Sequence, residues 1–272
     1  MKKFIAIILV ICAVLAYKFW NPEKTRVLRI GVECNYEPNN WEEKKASDYN
    51  LPLVNHQGFY AEGYDLQIAR HVADDLNAKL EVHKIAWNDL PRALTEGEID
   101  AIFSGMLDTS ARKEFASFSE PYDITRTEYT VVINTGSKYA NSKTLNDFAG
   151  AKFVAQRGSL LDTTIDQIPG VIHMTPVETV PEMLDAVLKG EADGTVINLD
   201  TGRSYEASHN NLKLIRFPEE HGFTLDFNGI CAGVRKGDTK LQNEINDSLK
   251  KLSKHDRQLI MDQTISRLWR NL

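Results

Sequence analysis

The stretch IDAIFSGMLDTSARKEFASFSEPY, Ile99 to Tyr122, decides the reading of this chain. Its first residues predict a buried strand, which breaks at Ser104-Gly105. A short loop then enters a helical turn carrying Arg112, and an aromatic-rich segment closes on Pro121-Tyr122. A strand that empties into a glycine loop and a helix start brings backbone N–H groups and a positive helix end together. Arg112 adds a planar fork that grips a carboxylate through two parallel hydrogen bonds. The stretch therefore reads as a carboxylate clamp.

Working outward, part of this pattern recurs. Leu94 to Phe103, LTEGEIDAIF, resembles Leu188 to Ile197, LKGEADGTVI. Both give a helix end, a glycine, an acidic turn and a buried strand. The second helix is well marked, with Thr179 and Glu182 as a capping box and Val180, Met183, Leu184, Val187 and Leu188 as its apolar face. The repeat predicts an α/β protein of two doubly wound lobes.

The remaining elements follow from local pattern. Val27–Glu33 is a first strand and Leu80–Ala86 another. Polar Asn35–Gln57 reads as a long loop. Ile68, Ala69, Val72, Ala73 and Leu76 form a helical stripe, and Asn88 caps a short helix with Pro91 in its first turn. Glu128–Asn134 is a strand crossing between lobes; Ala151–Gln156, Val171–Met174 and Leu212–Ile215 are further strands. Thr224–Val234 returns to the first lobe, and helices over Lys240–Leu252 and Asp256–Trp269 end the chain. The expected division is 1–26 as an N-terminal signal peptide or anchor, 27–125 plus 225–272 as lobe one, and 126–224 as lobe two. Two chain crossings then form a two-strand hinge.

Composition narrows the class. The 272 residues are 42% hydrophobic and 26% charged, with a net charge of −6, which argues against nucleic-acid binding. Lys2 and Lys3 precede an apolar run from Phe4 to Tyr17, short for a membrane span and suited to a signal peptide. The body of the protein is therefore expected to be exported, to the periplasm or the outer face of the cytoplasmic membrane. Cys34 and Cys231 read as two buried thiols, and the seven histidines show no metal-ligand spacing. No cofactor or metal is expected, and the protein reads as a monomer.

Taken together, Ile30 to Pro38, Gly63-Tyr64-Asp65, Trp87 with Leu90 and Leu94, Gly97 to Asp100, Ser104-Gly105-Met106, Thr109 to Lys113, Phe118 to Tyr122, Gln156 to Ser159 and Asp193-Gly194 resemble one family. It is the type II periplasmic substrate-binding proteins, and within them the polar amino-acid-binding group that serves ABC importers, solute-binding protein family 3. The resemblance implies a small carboxylate ligand, an amino acid (a basic one being one alternative) or close analogue, passed to an ABC permease. It implies that Arg112 binds the ligand's carboxylate, that Ser104, Gly105 and Met106 face the ligand, and that Tyr36 and Tyr64 are aromatic walls. Glu33 matches an acidic position that meets a basic side chain, and Gly158-Ser159 the turn that closes from lobe two. Leu107 stands where the family usually has a serine, and Asn198 where it has an acidic residue. Those two positions normally hold the ligand's ammonium group. Asn198 is expected to meet the ligand on closure. Two alternatives are an enzyme of the same fold, of the dehydratase type, with Glu33, Asp108 or Asp200 as its acid or base, and a sensory receptor.

Overall fold

A computed structural model describes residues 26–123, 128–225 and 229–271 of the chain. The expected signal peptide or anchor lies outside the described residues except for Arg26, and so does the expected lobe boundary at 125/126.

The chain opens with β1 (Arg26–Val32), β2 (Asn35–Tyr36), β3 (Asn40–Glu43), β4 (Leu51–Pro52) and β5 (Tyr60–Glu62). Next come α1 (Tyr64–Asp75), β6 (Ala78–Lys84), α2 (Leu90–Thr95), β7 (Ala101–Ile102) and β8 (Ala116–Phe118). The middle of the chain holds β9 (Tyr129–Asn134), β10 (Lys152–Phe153), α3 (Leu160–Ile165), β11 (Ile172–His173), α4 (Val180–Leu188), β12 (Gly194–Asn198), α5 (Leu199–Ser208) and β13 (Leu212–Ile215). β14 (Gly233–Arg235), α6 (Thr239–Leu249) and α7 (Lys254–Asn271) complete it.

These strands form two five-stranded sheets, in the orders β6-β1-β7-β14-β8 and β11-β10-β12-β9-β13. In the first, β6, β1 and β7 are parallel, while β14 runs antiparallel to β7 and β8. In the second, β11, β10 and β12 are parallel, while β9 runs antiparallel to β12 and β13. The α/β class with two wound lobes is therefore as expected. Alternation places Leu28, Ile30 and Val32 of β1 in the core. The stripe of α1 buries Ile68, Ala69, Val72 and Ala73 against the same sheet. No helix among the described residues is long and apolar enough to cross a membrane.

Three local expectations change. Asn35–Gln57 is not a plain loop: β2, β3 and β4 from this segment join β5 in a small four-stranded sheet. Its anchor is Asn40, whose side chain accepts from the Cys34 N–H (2.8 Å) and donates to Asp65 (2.8 Å). Asn88 does not cap a helix; it lies inside the 3-10 turn Trp87–Asp89 that runs directly into α2. Glu128–Asn134 does not cross between lobes: β9 pairs on both edges within the second sheet.

Candidate functional site

Parallel strands present their C-terminal ends to one side, so residues just past those ends gather at one cleft. Glu33 follows β1, Trp87 follows β6, Ser104-Gly105 follow β7 and Gln156 follows β10. Tyr129 opens the antiparallel β9 opposite Asn198, the last residue of β12. The result is a small cavity of about 40 Å³ between the two sheets' units. From the first side it is lined by Glu33, Tyr36, Trp87, Ser104, Gly105, Leu107 and Arg112, and from the second by Tyr129, Gln156, Ser159, Leu160 and Leu161.

Arg112 is the cavity's cation. Its Nη1 donates to the Leu107 carbonyl at 3.1 Å, and its guanidinium lies 4.9 Å from the Trp87 ring centroid. No carboxylate among the described residues pairs with it, and burial pulls its pKa down to about 10. Arg112 is half-buried, and a cation partly withdrawn from water without a counter-charge favours an anionic ligand. The helix-start part of the clamp is corrected. The helical turn is only Arg112–Glu114, and its N–H groups are satisfied locally, Arg112 on Thr109 Oγ1 (3.3 Å) and Lys113 on the Thr109 carbonyl (3.0 Å). Anion binding there rests on the guanidinium.

Glu33 is the cavity's acid. It is 4% exposed, and burial raises its carboxyl to about 7 against the opposing effects of the Asn35 and Gln156 side chains and the Lys84 charge. Gln156 Nε2 donates to its Oε1 at 2.5 Å, a contact between the two units. Ser104 Oγ accepts from the Glu33 N–H at 3.0 Å and so ties the ends of β1 and β7 together. Gly105 adopts φ +61°, and a Cβ there would lie 2.8 Å from the Tyr36 ring; glycine lets that ring lie flat against the turn. Tyr36 OH accepts from Asn198 Nδ2 at 2.6 Å. Ser159 is the N-cap of α3, accepting from the Asp162 N–H and donating to the Gln156 carbonyl at 2.7 Å.

Four expected residues sit elsewhere. Tyr64 is fully buried as the first residue of α1, and its hydroxyl donates to the Tyr122 carbonyl at 2.6 Å, so it is no wall of the cavity. Met106 is 1% exposed and packs with Ile102, Phe118 and Cys231. Gly158 (φ +70°) abuts Asn88 rather than the cavity. Asn198 stands behind Tyr36: its Oδ1 caps α5 by accepting from the Thr201 N–H at 2.8 Å. Leu107, Trp87, Tyr129, Gln156, Leu160 and Leu161 line the cavity but were not among the candidates. Trp87 carried a signal, its place just after a parallel strand; Tyr129 became visible only through its antiparallel register with Asn198.

The other acids are turned away. Asp108 pairs with Lys113 at 2.8 Å, and Asp200 is exposed beside Arg203 at 3.9 Å. Asp65 is buried and structural, accepting from Asn40 Nδ2 (2.8 Å) and Tyr122 OH (2.7 Å), with its carboxyl raised to about 6 by burial. Cys34 and Cys231 are separate buried thiols, and no metal-ligating group of His, Cys, Asp and Glu exists among the described residues.

Two α/β units meet around a cavity whose one lining cation, among the described residues, has no carboxylate partner, an arrangement that defines a small-molecule receptor class. The chain belongs to the bacterial extracellular solute-binding proteins, family 3, whose profile matches residues 28–263. It is 29% identical over 194 residues to a protein of Neisseria gonorrhoeae named probable histidine-binding protein, covering 70% of this chain and 69% of that one. It is 31% identical over 155 residues, 53% of this chain, to a membrane-bound lytic murein transglycosylase F of Idiomarina loihiensis, a match to only 33% of that enzyme. Among solved structures, the amino acid ABC transporter substrate-binding protein AbpA of Streptococcus pneumoniae, bound to L-arginine, matches with a TM-score of 0.75 over 89% of this chain and 95% of that chain, at 16% identity. That likeness is one of fold.

Proposed function

We propose that this protein captures a small carboxylate ligand, an amino acid or close analogue, between its lobes outside the cytoplasm and delivers it to an ABC importer. The observation that carries the reading is Arg112, half-buried at the cavity without a carboxylate partner among the described residues. In this reading 27–125 plus 225–272 form lobe one, 126–224 form lobe two, and the protein works as an exported monomer. The ligand's carboxylate docks on Arg112, Trp87 shields the pair, and lobe two closes through Gln156 and Ser159. Closure follows because the ligand contacts the closed form more fully than the open one.

An enzymatic role is disfavoured by the same geometry. General acid–base chemistry needs placed titratable groups in the cavity. Among the described residues Glu33 is the only acid lining it, and that carboxyl already accepts from Gln156. A charge-assisted hydrogen bond contributes roughly 1.5–3 kcal/mol. Arg112→Ala should therefore weaken a carboxylate ligand more than tenfold by titration calorimetry; an unchanged dissociation constant would remove Arg112 from the site.

A further inference from the structure

α3 is six residues long, and a helix that short is marginal on its own. Its start is nonetheless part of the cavity: the N-cap Ser159 and the first two helical residues, Leu160 and Leu161, line it. Asp162 holds this turn from two sides. Its N–H is the one capped by Ser159 Oγ, at 3.4 Å, and its carboxylate accepts from His173 Nε2 at 2.8 Å. The other nitrogen of the same ring, Nδ1, donates to Asp166, the C-cap of α3, also at 2.8 Å. His173 thus braces α3 from its first turn to its end.

The contacts fix the charge of the ring. An ionised carboxylate only accepts, so each ring nitrogen must carry a hydrogen, and a histidine with two N–H groups is a cation. The Asp162 arm is the better shielded: 28% of the His173 side chain and 18% of the Asp162 side chain are exposed, against 71% for Asp166. His173 ends β11 at the edge of its sheet, in register with uncharged Phe153 of β10; the charged residue of β10, Lys152, pairs with Ile172 instead. Burial alone would lower the pKa of the ring, but Asp162 and Asp166 outweigh it and the net shift is upward. Without the cation, the two aspartates stand four residues apart as like charges, which loosens a helix.

We propose that His173 is a positioning residue for the cavity, fixing the Ser159–Leu161 wall through Asp162 while it is charged and releasing that wall when it loses its proton. The brace is complete below the ordinary histidine value of about 6.5 and is lost as pH rises through the raised value of the folded protein. A ligand in the cavity therefore meets a firm wall at mildly acidic pH and a looser one at alkaline pH. That last consequence rests on the cavity being the ligand site; the brace does not.

The test begins with NMR of the ligand-free protein across the neutral pH range, following the His173 ring, the Asp162 amide and the Leu160 and Leu161 methyl groups. The ring should titrate above the ordinary histidine value, and the other signals should move with the same midpoint. Asp166→Asn, a surface change, should lower all these midpoints together. Glu33 lines the same cavity and titrates in the same range, so the series is repeated in Glu33→Gln, where the movement should persist. Adding His173→Gln to that variant should abolish it. Methyl signals that stay still while the ring titrates, or that still move in the double variant, would overturn the proposal. Calorimetry with L-arginine as the probe then reads the effect on binding. His173→Gln should weaken it about fivefold on the acidic side of the midpoint and hardly at all on the alkaline side. An equal loss on both sides would also overturn the proposal. If L-arginine does not bind the parent while the NMR signals titrate together, the brace stands and the reading of the cavity as an L-arginine site falls.

Discussion

Glu33 ties the electrostatics of the cavity to pH. Burial raises its carboxyl from an ordinary 4.5 to about 7, so between those values the folded protein holds a proton that the unfolded chain has released. Stability of the unliganded protein therefore falls as pH rises through that window. Asp65, raised to about 6, acts with the same sign lower in the range. Glu33→Gln removes the Glu33 term and keeps an acceptor for Gln156 Nε2. By urea unfolding, the variant should be the more stable protein at pH 8, by up to about 3 kcal/mol. The gap should close toward pH 5, and a gap independent of pH would refute the assignment. The cysteines give a second check. Cys34 is 4% exposed and Cys231 fully buried, and burial pushes both thiols well above their usual range. Neither should react with a thiol-specific chromogenic reagent until the protein unfolds. At this scale the sequence was partly legible. Arg112, Glu33 and Ser104 sit at or near strand ends whose position could be read from local pattern. Tyr64 and Met106 were misread because the face a side chain shows is set by what packs on its element. For Tyr64 that partner is Tyr122, 58 residues away.

Among the elements, legibility followed the range of the forces that make them. α4 was read from its own residues: Thr179 Oγ1 accepts from the Glu182 N–H at 3.3 Å, and Glu182 accepts from the Thr179 N–H at 3.0 Å. β13 matched its expected span, Leu212–Ile215. The small sheet was not read, because its pairs, such as Trp41 with Glu62, join segments that carry no mark of each other. Asn88 was misplaced for a similar reason: it lies against Gly158 of the other unit. The capping box makes an element-level prediction. Thr179→Ala should lower unfolding stability by about 1 kcal/mol. Ligand affinity should not change, since Thr179 does not line the cavity. A tenfold loss of affinity at unchanged stability would mean that α4 serves the site directly.

Across the whole molecule, several side-chain hydrogen bonds among the described residues join the two units. Gln156 reaches Glu33 at 2.5 Å, Asn198 reaches Tyr36 at 2.6 Å, and Asn88 reaches Glu178 at 3.4 Å. A neutral hydrogen bond such as Asn198–Tyr36 contributes a net 0.5–1.5 kcal/mol, roughly, because water competes for the same groups, and one to an ionised carboxylate roughly 1.5–3 kcal/mol. Each such contact is weak on its own, and a bound ligand that adds contacts to both sides shifts the balance toward the closed arrangement. This leads to a prediction about shape. Gln156→Ala combined with Asn198→Ala removes two of these hydrogen bonds without touching Arg112. The free variant should show a larger radius of gyration than the parent by small-angle X-ray scattering, and saturating ligand should bring the two together. Affinity should drop because part of the binding energy now closes the lobes. If the free variant and parent scatter alike, and ligand compacts neither, the lobes do not move and the cavity must fill by another route.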